Sequence, residues 1–250
     1  MKMEYLDFVL VPLGLAALLI YHLWLLHKIL HHPDTTVIGN NARNYIVWVE
    51  TIMQDPVKNG ILAVQTLRNN IMASTLLASM TIMLASATAV LMASSNSSGD
   101  NLDKQNRPLR GENIVIGNKS EVALSIKFFA ILVCFLLSFI FNVQSVRYYS
   151  NAGCLLAIPP SKSHHQPGSS YATGCVIKGS YFSALGFHSV YFSIPLFVWI
   201  FGPIPMFMCS LLLIFLLYFL DTFRGNDGNK EAIHGSVKKV GMSSDQDQQV

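Results

Sequence analysis

Long apolar runs separated by polar stretches dominate the chain. Phe8–Leu26, Ile71–Ala93 and Phe128–Val146 each approach or exceed the ~20 apolar residues that a helix needs to cross a ~30 Å hydrocarbon core. The first carries no formal charge, and apart from tyrosine its only ionisable side chain is His22. The third is bounded by Lys127 and Arg147, cations that can snorkel to lipid headgroups. From Tyr181 to Phe223 the only His, Asp, Glu, Lys or Arg side chains are His188 and Asp221. One straight helix of that length would run roughly 60 Å, too long for a single crossing. Gly202-Pro203-Ile204-Pro205 interrupts it, because each proline removes a backbone donor and pushes the preceding residue out of the α region. The pattern predicts a helical hairpin, residues 181–201 and 205–223, with Pro195 inside the first arm.

The fold class is therefore an all-α polytopic membrane bundle. It has five transmembrane helices (residues 8–26, 71–93, 128–146, 181–201 and 205–223) within one membrane domain, 1–223. The alternative is four, with part of the last region interfacial or re-entrant. Residues 94–127 read as a flexible extramembrane loop and 224–250 as a disordered tail, both rich in Ser, Asn, Gly and charge. The first apolar run is too long for the h-region of a cleaved signal peptide and reads as a signal anchor.

The first loop adds an amphipathic cytosolic helix. Asn40 or Asn41 can cap a helix reaching Met53, with Ala42, Tyr45, Ile46, Val49, Ile52 and Met53 at helical spacing. Asp55-Pro56 then places an N-cap before a proline at the first helical position, and the helix it starts runs into the second span. Gln65, Arg68 and Asn69 cluster within about one turn of it. They suit a solvated face or a contact to a headgroup or ligand.

Composition narrows the function classes. The 250 residues are 52% hydrophobic and 12% charged, with net charge +3; average soluble proteins carry about 25% charged residues. Disorder throughout, a soluble globular domain and a nucleic-acid-binding face are excluded on these numbers. With five spans, Lys and Arg divide 11 to 6 between the two sides. The positive-inside rule then puts the N-terminus outside or in the lumen and the C-terminus in the cytosol of a plasma or endomembrane. Four spans divide them 10 to 7 and reverse the orientation. Both N-x-[ST] sequons, at Asn96 and Asn118, fall in the loop that five spans leave outside the cytosol, and they are glycosylation candidates.

Candidate chemistry is sparse. Thr81, Ala85, Ala89 and Ala93 repeat every four residues and let helix backbones approach closely, within the chain or between copies. His27 and His31 stand one helical turn apart, as two metal ligands could, yet one such box supplies too few ligands for a two-iron centre. A polar interfacial cluster is the simpler role. His22 and His188 are ionisable groups inside spans, which marks them as functional candidates or interfacial hydrogen-bonding groups. Four cysteines without a paired spacing predict no disulfide framework. Phosphate-loop, nucleophile-elbow and dinucleotide motifs are absent, so no catalytic residue and no cofactor is assigned, and an enzyme is the less favoured reading.

Three stretches carry a resemblance. LDFVLVPLGLAALLIYHLWLLHKILHHP, VWVETIMQDPVKNGILAVQTLRNNIMASTLLAS and GSYFSALGFHSVYFSIPLFVWIFGPIPMF resemble plant and bacterial membrane proteins grouped as domain of unknown function 599. The resemblance spans roughly Leu6 to Phe223. The family pattern has arginine where this chain has His188. It implies an integral membrane protein and carries no activity or cofactor. Three functions stay open: a small oligomeric channel or transporter, a membrane scaffold recruiting partners through cytosolic loops and tail, and, weakest, an intramembrane metalloenzyme using His27 and His31. The partners these imply are the lipid bilayer and, for the channel, further copies of the chain.

Overall fold

The computed structural model describes residues 3–97, 121–157 and 169–222. Within them the chain is helical: α1 Met3–His31, a 3-10 turn Pro33–Thr35, α2 Val37–Gln54, α3 Pro56–Ser97, α4 Glu121–Ala157, α5 Ser169–Val198 and α6 Pro203–Asp221. Five of these, all but α2 and the 3-10 turn, are long and apolar enough to cross a membrane. Of the loop expected at residues 94–127, residues 94–97 continue α3 and 121–127 begin α4; residues 98–120 and the tail 224–250 lie outside the described residues.

The helices overrun the apolar windows. α3 and α4 have 42 and 37 residues, so they extend roughly 63 and 55 Å at 1.5 Å per residue. α6, with 19 residues, extends only roughly 28 Å, close to the thickness of a hydrocarbon core. The difference divides the molecule into two tiers. In the upper tier α1 and α6 run parallel and pack Leu18, Tyr21 and Leu25 against Leu213 and Leu217. Beside them Ala85 of α3, Ile131 and Phe135 of α4 and Leu196 of α5 form a second apolar cluster. In the lower tier α2 takes the place that α6 holds above. Val49 and Ile52 pack on Ala63 and Leu67 of α3, Tyr149, Ala152 and Leu156 of α4, and Ala172, Cys175 and Val176 of α5.

The lower tier extends two helices beyond their apolar windows: residues 147–157 continue α4 and 169–180 begin α5. Cys154 lies in α4 and Cys175 in α5, and all four cysteines are free thiols. Hydropathy alone stops at Arg147, but the helical period continues through Tyr149, Ala152 and Leu156, which face the α2 core. α2 also begins earlier than Asn40: Thr36 is its N-cap and its Oγ1 accepts from Gly39 N–H at 3.2 Å. Asp55 starts α3 as expected, its Oδ1 accepting from Lys58 N–H at 3.2 Å. The α5–α6 hairpin turns through Gly202, whose φ of 152° is a glycine conformation, with Pro203 first in α6.

Polar contacts fix the register of the three long helices. Ser145 Oγ donates to Gly179 O at 2.8 Å and lies 3.2 Å from Ser74 Oγ, joining α3, α4 and α5. Two turns up, Ser138 Oγ donates to Gly186 O at 2.8 Å. Fully buried Asn142 lies against that glycine: a Cβ at position 186 would stand 2.2 Å from Asn142 Nδ2. Gly179 likewise accepts the Tyr149 ring, which a Cβ would meet at 2.9 Å. Glycines seven residues apart thus let α4 side chains rest on the α5 backbone. At the top, buried Lys127 Nζ donates to Trp199 O at 3.3 Å and sits 4.9 Å from the Trp199 ring centre, tying α4 to the hairpin turn.

Candidate functional site

The apolar core of the upper tier is interrupted where α1, α5 and α6 meet. Helical spacing sets Tyr21 on the α1 face that also carries Leu18 and Leu25, all buried toward α6. Asp221 is the last residue of α6, placed there because the apolar run ends. Tyr21 Oη donates to Asp221 Oδ2 at 2.9 Å. His188 of α5 brings Nε2 to 3.7 Å from Asp221 Oδ1, with both side chains 12% exposed. His22 completes the group: its ring centre is 5.4 Å from that of His188, edge to face, and its Nδ1 lies 2.7 Å from Leu18 O. Phe192 and Tyr191 close the aromatic wall, Phe192 against His22 at 6.0 Å and Tyr191 against His188 at 6.1 Å.

Hydrogen bonding inside this group is incomplete. Tyr21 and the carboxylate satisfy each other, but His22 Nε2 and His188 Nδ1 are buried without a partner among the described residues. Buried polar atoms are normally paired, so two unpaired imidazole nitrogens in one cluster mark a place built for something other than packing. The cluster also sits at the junction of the tiers. Thr222, next to Asp221, forms an isolated antiparallel bridge with Thr36, the residue that caps α2.

The sequence singled out His22 and His188 separately, and the structure brings them together. Asp221 was visible as the one carboxylate in residues 181–223, but its partner Tyr21 lies 200 positions away. The spacing that signals Tyr21 is the buried i, i+3, i+4 stripe of α1, which gives no hint that the phenol would find an acid.

The remaining candidates lie apart. His27 and His31 stack with ring centres 4.2 Å apart, and the exposed His31 Nδ1 donates to His27 O at 3.2 Å. Among the described residues no group of three or more His, Cys, Asp or Glu side chains is placed to hold a metal. Gln65, Arg68 and Asn69 are exposed on α3; their neighbour Asn70 turns inward, its Nδ2 donating to Tyr45 Oη at 3.3 Å. Thr81 and Ala85 are buried, Ala85 against α4, whereas Ala89 and Ala93 are exposed. The buried small residues are Ser74, Ala78, Thr81, Ala85 and Thr88, which follow the 3.6-residue period rather than steps of four. The side chain of Asn96, and Asn118 altogether, lie outside the description.

Comparison with known proteins supplies a family and nothing finer. No curated protein and no solved structure matches the chain. A family model described as protein of unknown function, DUF599, matches residues 9–225, most of the chain and all of the helices that build the cluster, so the chain belongs to the DUF599 family.

Proposed function

We propose that this chain is a multi-pass integral membrane protein that moves a charged or strongly polar solute across the bilayer through its α1–α5–α6 cluster. The observation that carries the reading is the buried carboxylate, phenol and two imidazoles enclosed by three predominantly apolar helices. Ionisable groups are expensive in lipid, and those that line helix contacts there mark solute or proton pathways. The exposed faces support lipid as the surrounding medium. Phe8, Ile20 and Leu23 of α1, Met83 and Val90 of α3, and Phe215 and Phe219 of α6 all point outward.

The proposed orientation has the N-terminus outside or in the lumen and the lower tier in the cytosol. Seven Lys and Arg residues are described. Lys28, Arg43, Lys58, Arg68, Arg147 and Lys178 lie at or below the junction, and Lys127 lies at the top. That asymmetry is what the positive-inside rule reads. Engineered glycosylation sites test it: modification between residues 98 and 120 and none in 225–250 is the expected result, and modification of both segments removes the five-crossing arrangement.

Transport is tested by purified protein in lipid vesicles on a solid-supported membrane, recording current after jumps of pH or of a charged solute. The expected result is a transient current that Asp221→Asn abolishes. Wild-type vesicles that stay silent would remove the reading, and an unchanged current in Asp221→Asn would remove the cluster as its site. A second reading, a scaffold that binds partners at the lower tier, is favoured by exposed Val57, Ile61 and Leu62 on the part of α3 that stands beside α2.

A further inference from the structure

We infer that the α1–α5–α6 cluster is a proton site: His22 and His188 share one proton across the α1–α5 contact, with the Asp221 carboxylate as its counter-charge. The inference rests on the reading of this cluster as the working site and names the species that it binds.

His22 Nδ1 is 2.7 Å from Leu18 O, and a carbonyl only accepts. The proton of the neutral ring therefore sits on Nδ1, and Nε2 is a bare lone pair. His188 Nε2 faces Asp221 Oδ1 at 3.7 Å. A lone pair there would oppose the carboxylate, so the ring proton sits on Nε2 and Nδ1 is the second bare lone pair. Both of these nitrogens are buried without a partner among the described residues. The single Tyr21 hydroxyl proton already goes to Asp221 Oδ2, and the neighbouring Thr222 hydroxyl has no partner among the described residues, the two nitrogens included.

One added proton resolves both at once. An N–H bond forms on one imidazole as an O–H bond of the hydronium that delivers the proton breaks and water leaves, and the other imidazole accepts from the new N–H. The ring centres are already 5.4 Å apart, edge to face, a separation at which one imidazole can donate to another. The positive charge gained is met by Asp221 beside His188. The titratable groups around the pair are Tyr21 on α1, Tyr191 on α5, and Tyr218 and Asp221 on α6. From the start of α2 comes Thr36, which does not titrate; nearby Asp34 and Arg43 pair with each other at the surface. Because Asp221 ends α6 and the next residue bridges to the α2 cap, an ion pair drawn tighter at Asp221 acts directly on the link between the tiers.

The test is a nitrogen-15 NMR titration of the full chain in phosphatidylcholine vesicles, with the histidine rings assigned through the backbone, from about pH 8 to about pH 5, the window in which histidine changes charge. The expected result is a single transition in which His22 and His188 move together and take up one proton between them. Asp221→Asn should weaken that proton's binding about tenfold or more, since an adjacent opposite charge is lost. His188→Gln should leave His22 titrating alone; if that variant does not fold, the wild-type stoichiometry decides by itself. Two independent transitions for His22 and His188 would overturn the inference. So would no uptake across the range, which would assign the two nitrogens to a neutral bridging water. Absent transport with an intact shared transition removes the transport reading and keeps the proton site. Transport without the shared transition does the reverse.

Discussion

Two buried polar regions lie within a few helical turns of each other, and they are built on opposite terms. The α4–α5 seam uses neutral groups. Serine hydroxyls at 138 and 145 donate to the carbonyls of Gly186 and Gly179, and apart from Asn142 Oδ1 its buried polar atoms have partners among the described residues. The α1–α5–α6 cluster uses ionisable groups and leaves two nitrogens unpaired. In lipid a neutral hydroxyl bonded to backbone is glue of modest strength, about 0.6 kcal/mol on average. A carboxylate among imidazoles costs more than it returns in packing, so its presence is better explained by use than by stability. The seam also has glycine where side chains cross it, whereas the cluster is walled by aromatics at Tyr191 and Phe192. One region fixes geometry and the other stores reactivity.

The sharpest way to break the seam is at Gly186. A leucine there collides with Asn142, since even a Cβ would come within 2.2 Å of Nδ2. Overpacking of this kind costs about 1–3 kcal/mol or more. Gly186→Leu is expected to show the largest loss in thermal unfolding of the detergent-solubilised protein. Gly186→Ala combined with Asn142→Ala should recover most of the loss of Gly186→Ala alone, because the two residues share one space. Equal losses in the single and double variants would place the strain elsewhere.

The cluster breaks differently. Tyr21→Phe removes the donor to Asp221 Oδ2 and leaves a buried carboxylate oxygen unpaired, a cost of about 1–3 kcal/mol. Its melting temperature should therefore fall. Asp221→Asn keeps an acceptor for Tyr21 while removing the charge, so it should melt within about 1 kcal/mol of wild type yet lose the current. That split is the signature of a functional group. Matched losses of stability and current in Asp221→Asn would make the cluster a structural device like the seam.

The two regions also differ in how far the sequence disclosed them. Five apolar windows placed five helices, and the Gly202–Pro205 break placed the hairpin, because lipid imposes a length that can be counted. In the lower tier α2 and the start of α3 were legible, but the lower ends of α4 and α5 escaped: Ala152, Leu156, Ala172 and Cys175 are spaced for a core that hydropathy windows average away. His22, His188 and Asp221 were conspicuous as rare ionisable groups in apolar runs. Their juxtaposition was not, since it depends on α1 and α6 packing parallel to each other and on the α5–α6 hairpin bringing His188 to that contact. The small-residue stripe was read in steps of four; the helix keeps Thr81 and Ala85 inward, turns Ala89 and Ala93 away and brings Thr88 to the buried face.

The smallest expected effect lies at Ser145. Its hydroxyl donates to Gly179 O and contacts Ser74 Oγ, so it joins three helices through one oxygen. Removing it in Ser145→Ala deletes the bond to Gly179 O and the contact with Ser74 Oγ, and leaves the Gly179 carbonyl to its helical partner. Intramembrane hydrogen bonds measured by double-mutant cycles average about 0.6 kcal/mol, with a maximum near 1.7 kcal/mol. A loss in that range is expected. Ser74→Ala on its own should cost less, because Ser145 keeps its bond to the Gly179 carbonyl. The double variant should be less destabilised than the sum of the two, since both remove the same contact. Exact additivity would mean that the 3.2 Å approach of Ser74 and Ser145 is proximity without a bond. Transport should survive all three variants, because the seam holds the helices in register without touching the ionisable cluster. A current lost on Ser145→Ala at wild-type stability would show that the register of α4 and α5 is itself part of the working site.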